Sequence, residues 1–415
     1  MAIQLKWPIL GVIIPCILIA GIGYGAHFFV FSRHMSLVDQ IWFQVYMTMV
    51  WISYILAIVK DPGSPPKNFQ PNSGEWRRWC KKCQNYKPER THHCKTCNKC
   101  VLKMDHHCPW TYNCVGHGNI AHFLRFLLWV IFTTGITFVE LSKRAVQYYK
   151  DSDLPSYLIS KSEMFAVIFL LPVDFFVLAS ITVLLIRCVK DMFFMGMTQI
   201  EGWEMERIES QFHTERMWAR IRRNYYKLHG KELPRLTSWN RTQRYYEVDE
   251  EKDDDDISVA NENTKDENTV NDDANDNDQS GVPEEFTTDD LIFPYDRGLW
   301  KNIIDSCGMP WTWILPWGGP SSDGYHFDKT EFMDEDQLGL PWPPDGGHQD
   351  IEVEEPDVSQ MVVGNRTNIK MLKKRLDPRS TMKRTEWRSD AGETLDDLGV
   401  DVEAEDEDEL MVKVQ

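Results

Sequence analysis

The chain has 415 residues, 26% of them charged, and its net charge of −18 and mean hydropathy of −0.41 are typical of an acidic soluble protein. The average hides an asymmetry, because the first 189 residues hold 19 Lys and Arg against 10 Asp and Glu, while the remainder holds 26 against 53. An acidic total argues against nucleic acid as the main partner, since phosphate binding needs positive surface. Seven of the ten cysteines lie between Cys80 and Cys114, which argues for metal or redox chemistry and against a secreted disulfide scaffold.

Four stretches are long and apolar enough to cross a bilayer as helices, which takes about 20 residues each. They run over Ile9–Phe31, Ile41–Val59, Phe123–Leu141 and Met164–Val189. Buried helices of a soluble protein rarely run this long without a polar face. The sequence therefore predicts an all-α integral membrane protein. Asp174 is the one charged residue near the middle of a span, and we expect it to be protonated and bonded to backbone freed by Pro172.

The loop between the second and third spans sets the expected orientation. Residues 60–122 carry eleven Lys and Arg against four Asp and Glu, whereas Arg33 is the only Lys or Arg in residues 32–40. The positive-inside rule then places the cysteine-rich loop and both termini in the cytosol.

Six segments follow from these patterns. Residues 1–59 hold the first two spans, 60–122 a cytosolic cysteine-rich domain, and 123–189 the last two spans. Residues 190–246 form a membrane-proximal region with an amphipathic helical pattern, and 247–290 an acidic segment predicted to be disordered. Residues 291–415 form a cytosolic tail, partly ordered near 293–317, whose last acidic run at residues 390–409 is expected to be solvated.

The cysteine block has the spacing of zinc sites. Pairs of cysteines separated by two residues aim both thiolates at one ion, and Zn²⁺ is the expected occupant in a reducing cytosol. Two tetrahedral sites need eight ligands, and two Cys₃His sets would leave one of the seven cysteines unused. A spare thiol beside Asp and His is a candidate nucleophile, but spacing alone does not say which cysteine is spare.

The run Asp105-His106-His107-Cys108-Pro109-Trp110 resembles the signature of the DHHC protein S-acyltransferases, or palmitoyltransferases. The resemblance extends through Asn113-Cys114-Val115-Gly116 and includes Asp61-Pro62-Gly63, and the four spans match the family's architecture. The block and the acidic tail are most similar to fungal endoplasmic-reticulum members of the family.

The resemblance implies a role for each residue. Cys108 is expected to take a palmitoyl group from palmitoyl-CoA as a thioester and pass it to cytosol-facing cysteines of membrane or membrane-associated proteins, with His106 as base and Asp105 orienting it. It also implies two structural zinc ions. The first would be held by Cys80, Cys83, His93 and Cys100, and the second by Cys94, Cys97, His107 and Cys114.

Two positions depart from the family pattern. The Thr-Thr-x-Glu motif appears as Thr198-Gln199-Ile200-Glu201, so Gln199 either replaces or abolishes a hydrogen bond toward Asp105. In the tail motif, Phe293 stands where the family has Asn. The alternative to an enzyme is a zinc-stabilised membrane scaffold that is itself acylated, although a scaffold has no need of an intact Asp105–Cys108 motif.

Overall fold

We describe a computed structural model of the chain. It covers residues 9–153, 155, 159–212, 214–232, 292–313, 318–320, 322–330, 339–347, 377–404 and 409–410. The predicted acidic segment 247–290 and residues 314–317, the end of the stretch predicted to be ordered, lie outside these residues.

The described residues contain four helices long and apolar enough to cross a membrane, as predicted. They are Ile9–His34, Leu37–Val59, Ile120–Lys150 and Lys161–Phe194, here called the first to fourth spans. Most residues in the apolar parts of the first and fourth spans face outward. In the most apolar stretch of the third span, half of the residues are buried among the neighbouring helices. The third span therefore forms the centre of the bundle, packed against the second and the fourth.

Polar contacts close the bundle at the end opposite the cysteine block. The buried carboxylate of Glu163 accepts from Arg144 Nε at 2.5 Å and lies 2.7 Å from His34 Nε2, which joins the first, third and fourth spans. Deeper in the fourth span Asp174 is fully buried, and neither of its carboxyl oxygens has a hydrogen-bond partner in the described part of the chain. The expected bond to backbone freed by Pro172 is not formed.

The cysteine-rich block is a small lobe of short antiparallel hairpins. Strand β1 (Trp76–Cys80) pairs with β2 (Asn85–Lys87), β3 (His92–Cys94) with β4 (Lys99–Val101), and β5 (His106–Cys108) with β6 (Asn113–Val115). Gln84 and Asn98 follow the two Cys-x-x-Cys turns with φ of 51° and 50°, and their backbone amides donate to the Cys80 and Cys94 carbonyls. These tight turns aim two thiols of each hairpin at the same point.

An apolar core joins the lobe to the bundle. Cys108 and Val115 of the third hairpin pack with Tyr54 of the second span, Phe123 of the third and Cys188 of the fourth. The hairpin that carries the Asp-His-His-Cys motif therefore lies directly on the ends of three spans.

Two helices follow the fourth span where one amphipathic helix was expected. They are Gln199–Gln211, which begins with a capping box between Thr198 and Glu201, and Glu215–His229, which begins at the cap Thr214. Their buried residues Trp203 and Trp218 belong to two cores outside the four spans. A further helix, Leu299–Cys307, lies beside the end of the fourth span.

Residues 377–404, here called the C-terminal strap, return to the cysteine lobe. Trp387, Leu395, Leu398 and Val400 are at most 4% exposed and pack with Cys94 and other lobe residues. The prediction of a solvated acidic tail is therefore wrong for residues 390–404. Apolar residues spaced between the acids anchor the segment, and an average over composition does not detect them.

Candidate active site and metal centres

Two groups of cysteine and histidine side chains converge within the lobe. In each group the potential ligand atoms all lie within 4.8 Å of one another. The groups are Cys80, Cys83, His93 and Cys100, and Cys94, Cys97, His107 and Cys114. The eight predicted metal ligands are thus brought together as two sets of three thiols and one imidazole.

The spacing within each group fits zinc. A tetrahedral Zn²⁺ holds sulfur and nitrogen ligands about 3.5 to 3.8 Å apart, from bond lengths of about 2.3 and 2.0 Å. His93 Nδ1 lies 3.4, 3.3 and 3.8 Å from the three thiols of its group, and His107 Nδ1 lies 3.4 to 3.6 Å from those of the second. The sulfur atoms of Cys97 and Cys114 are 3.4 Å apart, far longer than a disulfide bond of about 2.05 Å.

Cys108 is the cysteine of the block that belongs to neither group. Its side chain lies at the end of β5 and is 4% exposed, on the membrane side of the lobe, in contact with the spans. Cys108 is therefore the thiol that two Cys₃His sets would leave unused.

The neighbours of Cys108 form a relay of hydrogen bonds. Asp105 is fully buried and its Oδ2 lies 2.7 Å from His106 Nδ1, while His106 bonds on toward the Cys108 thiol. Because β5 alternates its side chains, His106 and Cys108 share one face of the strand and His107 points the other way, toward the second metal group. One strand thus supplies both a member of the second cysteine–histidine group and the thiol and imidazole of a candidate nucleophile–base pair.

The relay changes the acidity of both groups. Burial disfavours the charged form of His106, but hydrogen bonds to Asp105 and Cys108 and the negative charge of both raise its pKa to about 10. Burial also opposes the thiolate of Cys108, but the hydrogen bond from His106, the charge of that imidazole and hydrogen bonds from Thr111 lower the pKa of the thiol. The arrangement favours a thiolate–imidazolium pair, which is the reactive form of cysteine.

Two supporting contacts were not predicted from the sequence. The hydroxyl of Thr111, a residue only 2% exposed, donates to the Cys108 carbonyl at 3.4 Å. The Tyr54 hydroxyl of the second span donates to the Trp110 carbonyl at 2.8 Å and so ties the turn after Cys108 to the bundle. Thr111 follows the motif closely enough to have been a candidate, but nothing in the sequence connects Tyr54 to it.

The two departures from the family pattern have structural answers. The backbone amide of Gln199 donates to Asp105 Oδ1 at 2.8 Å, so the contact toward Asp105 is made without a second threonine hydroxyl. Phe293 is buried against Tyr295 and Trp342, and with Tyr295 it faces the Arg90 guanidinium. An aromatic contact thus replaces the polar one that asparagine would make.

Lys81, Lys82, Arg90 and Lys103 are basic residues of the lobe that the sequence offers as partners for the phosphates of an acyl-CoA donor. Arg90 is buried and forms a bidentate ion pair with Glu201 at 2.6 Å, so its guanidinium is already neutralised. Lys103 is also buried, its Nζ donates to Ser306 Oγ at 3.4 Å, and burial lowers its pKa to about 8. Lys82 pairs with Asp401, and Lys81 is exposed.

Comparison with known proteins agrees with this geometry. A family model described as DHHC palmitoyltransferase matches residues 74–206, which span the three hairpins, both metal groups, the third and fourth spans and the start of the helix after the fourth span. The chain is 60% identical to "Palmitoyltransferase PFA4" of Debaryomyces hansenii over 100% of the chain and 98% of that protein. It is 44% identical to the protein of the same name in Candida albicans and 38% identical to that in Saccharomyces cerevisiae, each over 98% of the chain and 100% of the relative. The chain belongs to the DHHC palmitoyltransferase family.

Proposed function

We propose that this protein S-palmitoyltransferase uses Cys108 as its nucleophile and palmitoyl-CoA as its acyl donor. The Cys108 thiolate attacks the thioester carbonyl, the bond from the acyl carbon to the CoA sulfur breaks, and the CoA thiolate takes the proton carried by His106. A cysteine thiol of the target protein then loses its proton to His106 and attacks the acyl group on Cys108. The palmitoyl group leaves on the target as a thioester, and Cys108 returns to its thiolate form.

The observation that carries this proposal is the hydrogen-bonded series from Asp105 through His106 to Cys108. Asp105 has no exposed surface, and its second oxygen is held by the Gln199 amide, so it has one orientation toward the imidazole. A base held by a fixed carboxylate beside a thiol has the geometry of other nucleophile–base–orienter sites.

We assign the two metal groups to structural zinc. Each offers four protein ligands, which completes a tetrahedral shell and leaves no position for water or substrate. Zinc bound there would contribute to folding of the lobe and take no part in acyl transfer. The eight proposed ligands are those named above, and Cys108 remains available for acylation.

The position of Cys108 supports a membrane-embedded acyl chain. The thiol belongs to one core with side chains of the second, third and fourth spans, including Val50, Leu127 and Cys188. A palmitoyl group on Cys108 can therefore extend among apolar side chains, while the nucleotide of the donor remains at the aqueous surface. The same position favours target cysteines that lie close to the cytosolic face of the membrane.

We further propose that the protein resides in the endoplasmic-reticulum membrane with both termini in the cytosol. The eleven basic residues of segment 60–122 support the orientation, and the resemblance to fungal endoplasmic-reticulum members supports the organelle. Terminal fluorescent tags that colocalise with a reticulum marker, and that protease digests after selective permeabilisation of the plasma membrane, would test both points. Tags protected from protease would contradict the orientation.

Acyl-enzyme formation tests the enzymatic proposal. Detergent-purified protein is incubated with an alkyne analogue of palmitoyl-CoA. The hydroxylamine-sensitive label is compared between wild type, Cys108→Ala and Cys307→Ala, which removes a cysteine outside the block as a control. We expect label that requires Cys108, survives Cys307→Ala and transfers to a thiol substrate. Equal label on wild type and Cys108→Ala would support the scaffold that is merely acylated at other positions.

A further inference from the structure

The C-terminal strap makes main-chain hydrogen bonds to both metal-bearing parts of the lobe. The amides of Lys81 and Lys95, each next to a metal-group cysteine, donate to the carbonyls of Ala404 and Gly399 at 2.9 and 3.0 Å. The Asp401 amide donates to the His93 carbonyl at 2.8 Å. The strap thus contacts the backbone of both ligand groups and lies outside residues 74–206, which the family model covers.

One contact reaches the reactive hairpin itself. The His107 amide donates to the Leu398 carbonyl at 2.9 Å, and this amide is part of the peptide group that links His106 to His107. A shift of that peptide would move the His106 imidazole on one side and Cys108 on the other. The strap therefore contacts the backbone between the base and the nucleophile.

Gly399 makes this close approach possible. Its φ of +85° lies in the left-handed region, and a Cβ added there would stand 2.6 Å from the Cβ of His107. Real Cβ atoms essentially never approach so closely, so any side chain at this position must displace the strap or the hairpin. Gly392 in the same strap has a similar φ of +78° but nothing within 4 Å of the added atom.

Apolar packing holds the strap on the lobe, and ion pairs flank this packing. Leu395, Leu398 and Val400 are buried with Cys94, whereas the ion pairs from Lys82 to Asp401 and from Lys95 to Asp396 have partly exposed lysines and contribute little alone. Glu393 adds a bidentate ion pair to Arg187 of the fourth span at 2.9 and 2.5 Å. The Trp203 indole also donates to the Glu393 carbonyl, which ties the strap to the helix that begins next to the Gln199–Asp105 contact.

We propose that the C-terminal strap is a positioning element for acyl transfer, in which the Leu398 carbonyl and Gly399 fix the peptide between His106 and His107. The strap touches neither the thiol nor the acyl donor in this role. It acts through the backbone that sets the direction of the His106 imidazole relative to Cys108. The inference rests on the proposed role of Cys108 as nucleophile.

Two alanine variants of strap glycines test it. The maximal rate of acyl-enzyme formation, the palmitoyl-CoA concentration giving half that rate, and the zinc content per chain are measured for wild type, Gly399→Ala and Gly392→Ala in the full-length protein. Both variants place alanine at a positive φ, but only Gly399→Ala adds an atom against His107. We expect the maximal rate of Gly399→Ala to fall at least tenfold, with the half-saturating concentration within twofold of wild type and two zinc ions retained. We expect Gly392→Ala to stay within twofold of wild type in all three quantities.

A second pair covers the case in which Gly399→Ala yields no folded protein. Leu398→Ala loosens the strap without adding an atom near His107, and Leu340→Ala removes an equally buried leucine from a different core. We expect the maximal rate of Leu398→Ala to be at least threefold below that of Leu340→Ala at equal zinc content.

The outcomes separate this inference from the proposed function. Equal maximal rates within each pair would overturn the positioning role, and so would a loss of activity that only parallels the loss of zinc. Failure of wild-type protein to form a Cys108-dependent acyl-enzyme would instead overturn the proposed function on which the inference rests.

Discussion

The carboxylate of Asp105 offers the sharpest test of the proposed catalytic site. Its two oxygens accept from two donors, His106 Nδ1 at 2.7 Å and the Gln199 amide at 2.8 Å. In Asp105→Asn the side chain keeps its shape but replaces one oxygen by an NH₂ group, which then faces a donor whichever way the amide is turned. At least one charge-assisted hydrogen bond is lost, and such bonds contribute about 1.5–3 kcal/mol.

If the lost hydrogen bond stabilises the transition state, the rate of acyl-enzyme formation drops about 10- to 100-fold, since about 1.4 kcal/mol of activation free energy corresponds to a tenfold change in rate. Single-turnover labelling of Cys108 at saturating palmitoyl-CoA measures the rate directly. Asp328→Asn is the matched control, because Asp328 is 78% exposed and its carboxylate pairs with Arg297. An Asp105→Asn protein that is acylated at the wild-type rate would refute the role of Asp105 in orienting the base.

Three further outcomes follow from the same structure. Replacing His106 with Gln removes the hydrogen bond and charge that lower the pKa of Cys108, so the midpoint of its pH-dependent alkylation by iodoacetamide should move to higher pH; an unchanged midpoint would contradict the ion pair. Cys100→Ser should lose metal and unfold the lobe, whereas Cys108→Ser should retain two zinc ions per chain by mass spectrometry, and equal zinc content in both would disprove the ligand assignment. Glu201→Gln leaves a buried guanidinium without its counter-charge and should lower the free energy of unfolding by about 3–5 kcal/mol. The exposed Glu209→Gln on the same helix should change it by less than about 0.5 kcal/mol in denaturant titrations, and equal effects of the two changes would refute that cost.

Local patterns determined the membrane architecture and the chemistry of the cysteine block. A membrane span needs only a continuous apolar run, and a Cys-x-x-Cys turn brings two thiols together through backbone geometry that the sequence specifies locally. For this reason the four spans and the hairpin turns at Cys80–Cys83 and Cys94–Cys97 could be predicted with no knowledge of long-range contacts. The pairing of Cys100 with the first group and Cys114 with the second came from the family resemblance.

Contacts between distant segments could be found only in the tertiary structure. The Gln199 backbone amide donates to Asp105, which lies 94 positions earlier in the chain. Because nearly every residue type has a backbone amide, the residue type at position 199 does not predict this hydrogen bond. The strap illustrates the same limit more strongly. Its acidic composition predicted solvation, yet four apolar side chains and the space left by Gly399 dock it on the lobe. Composition determines whether a segment has enough apolar surface on average, but burial depends on whether a complementary surface exists elsewhere in the fold, and only the folded chain decides that.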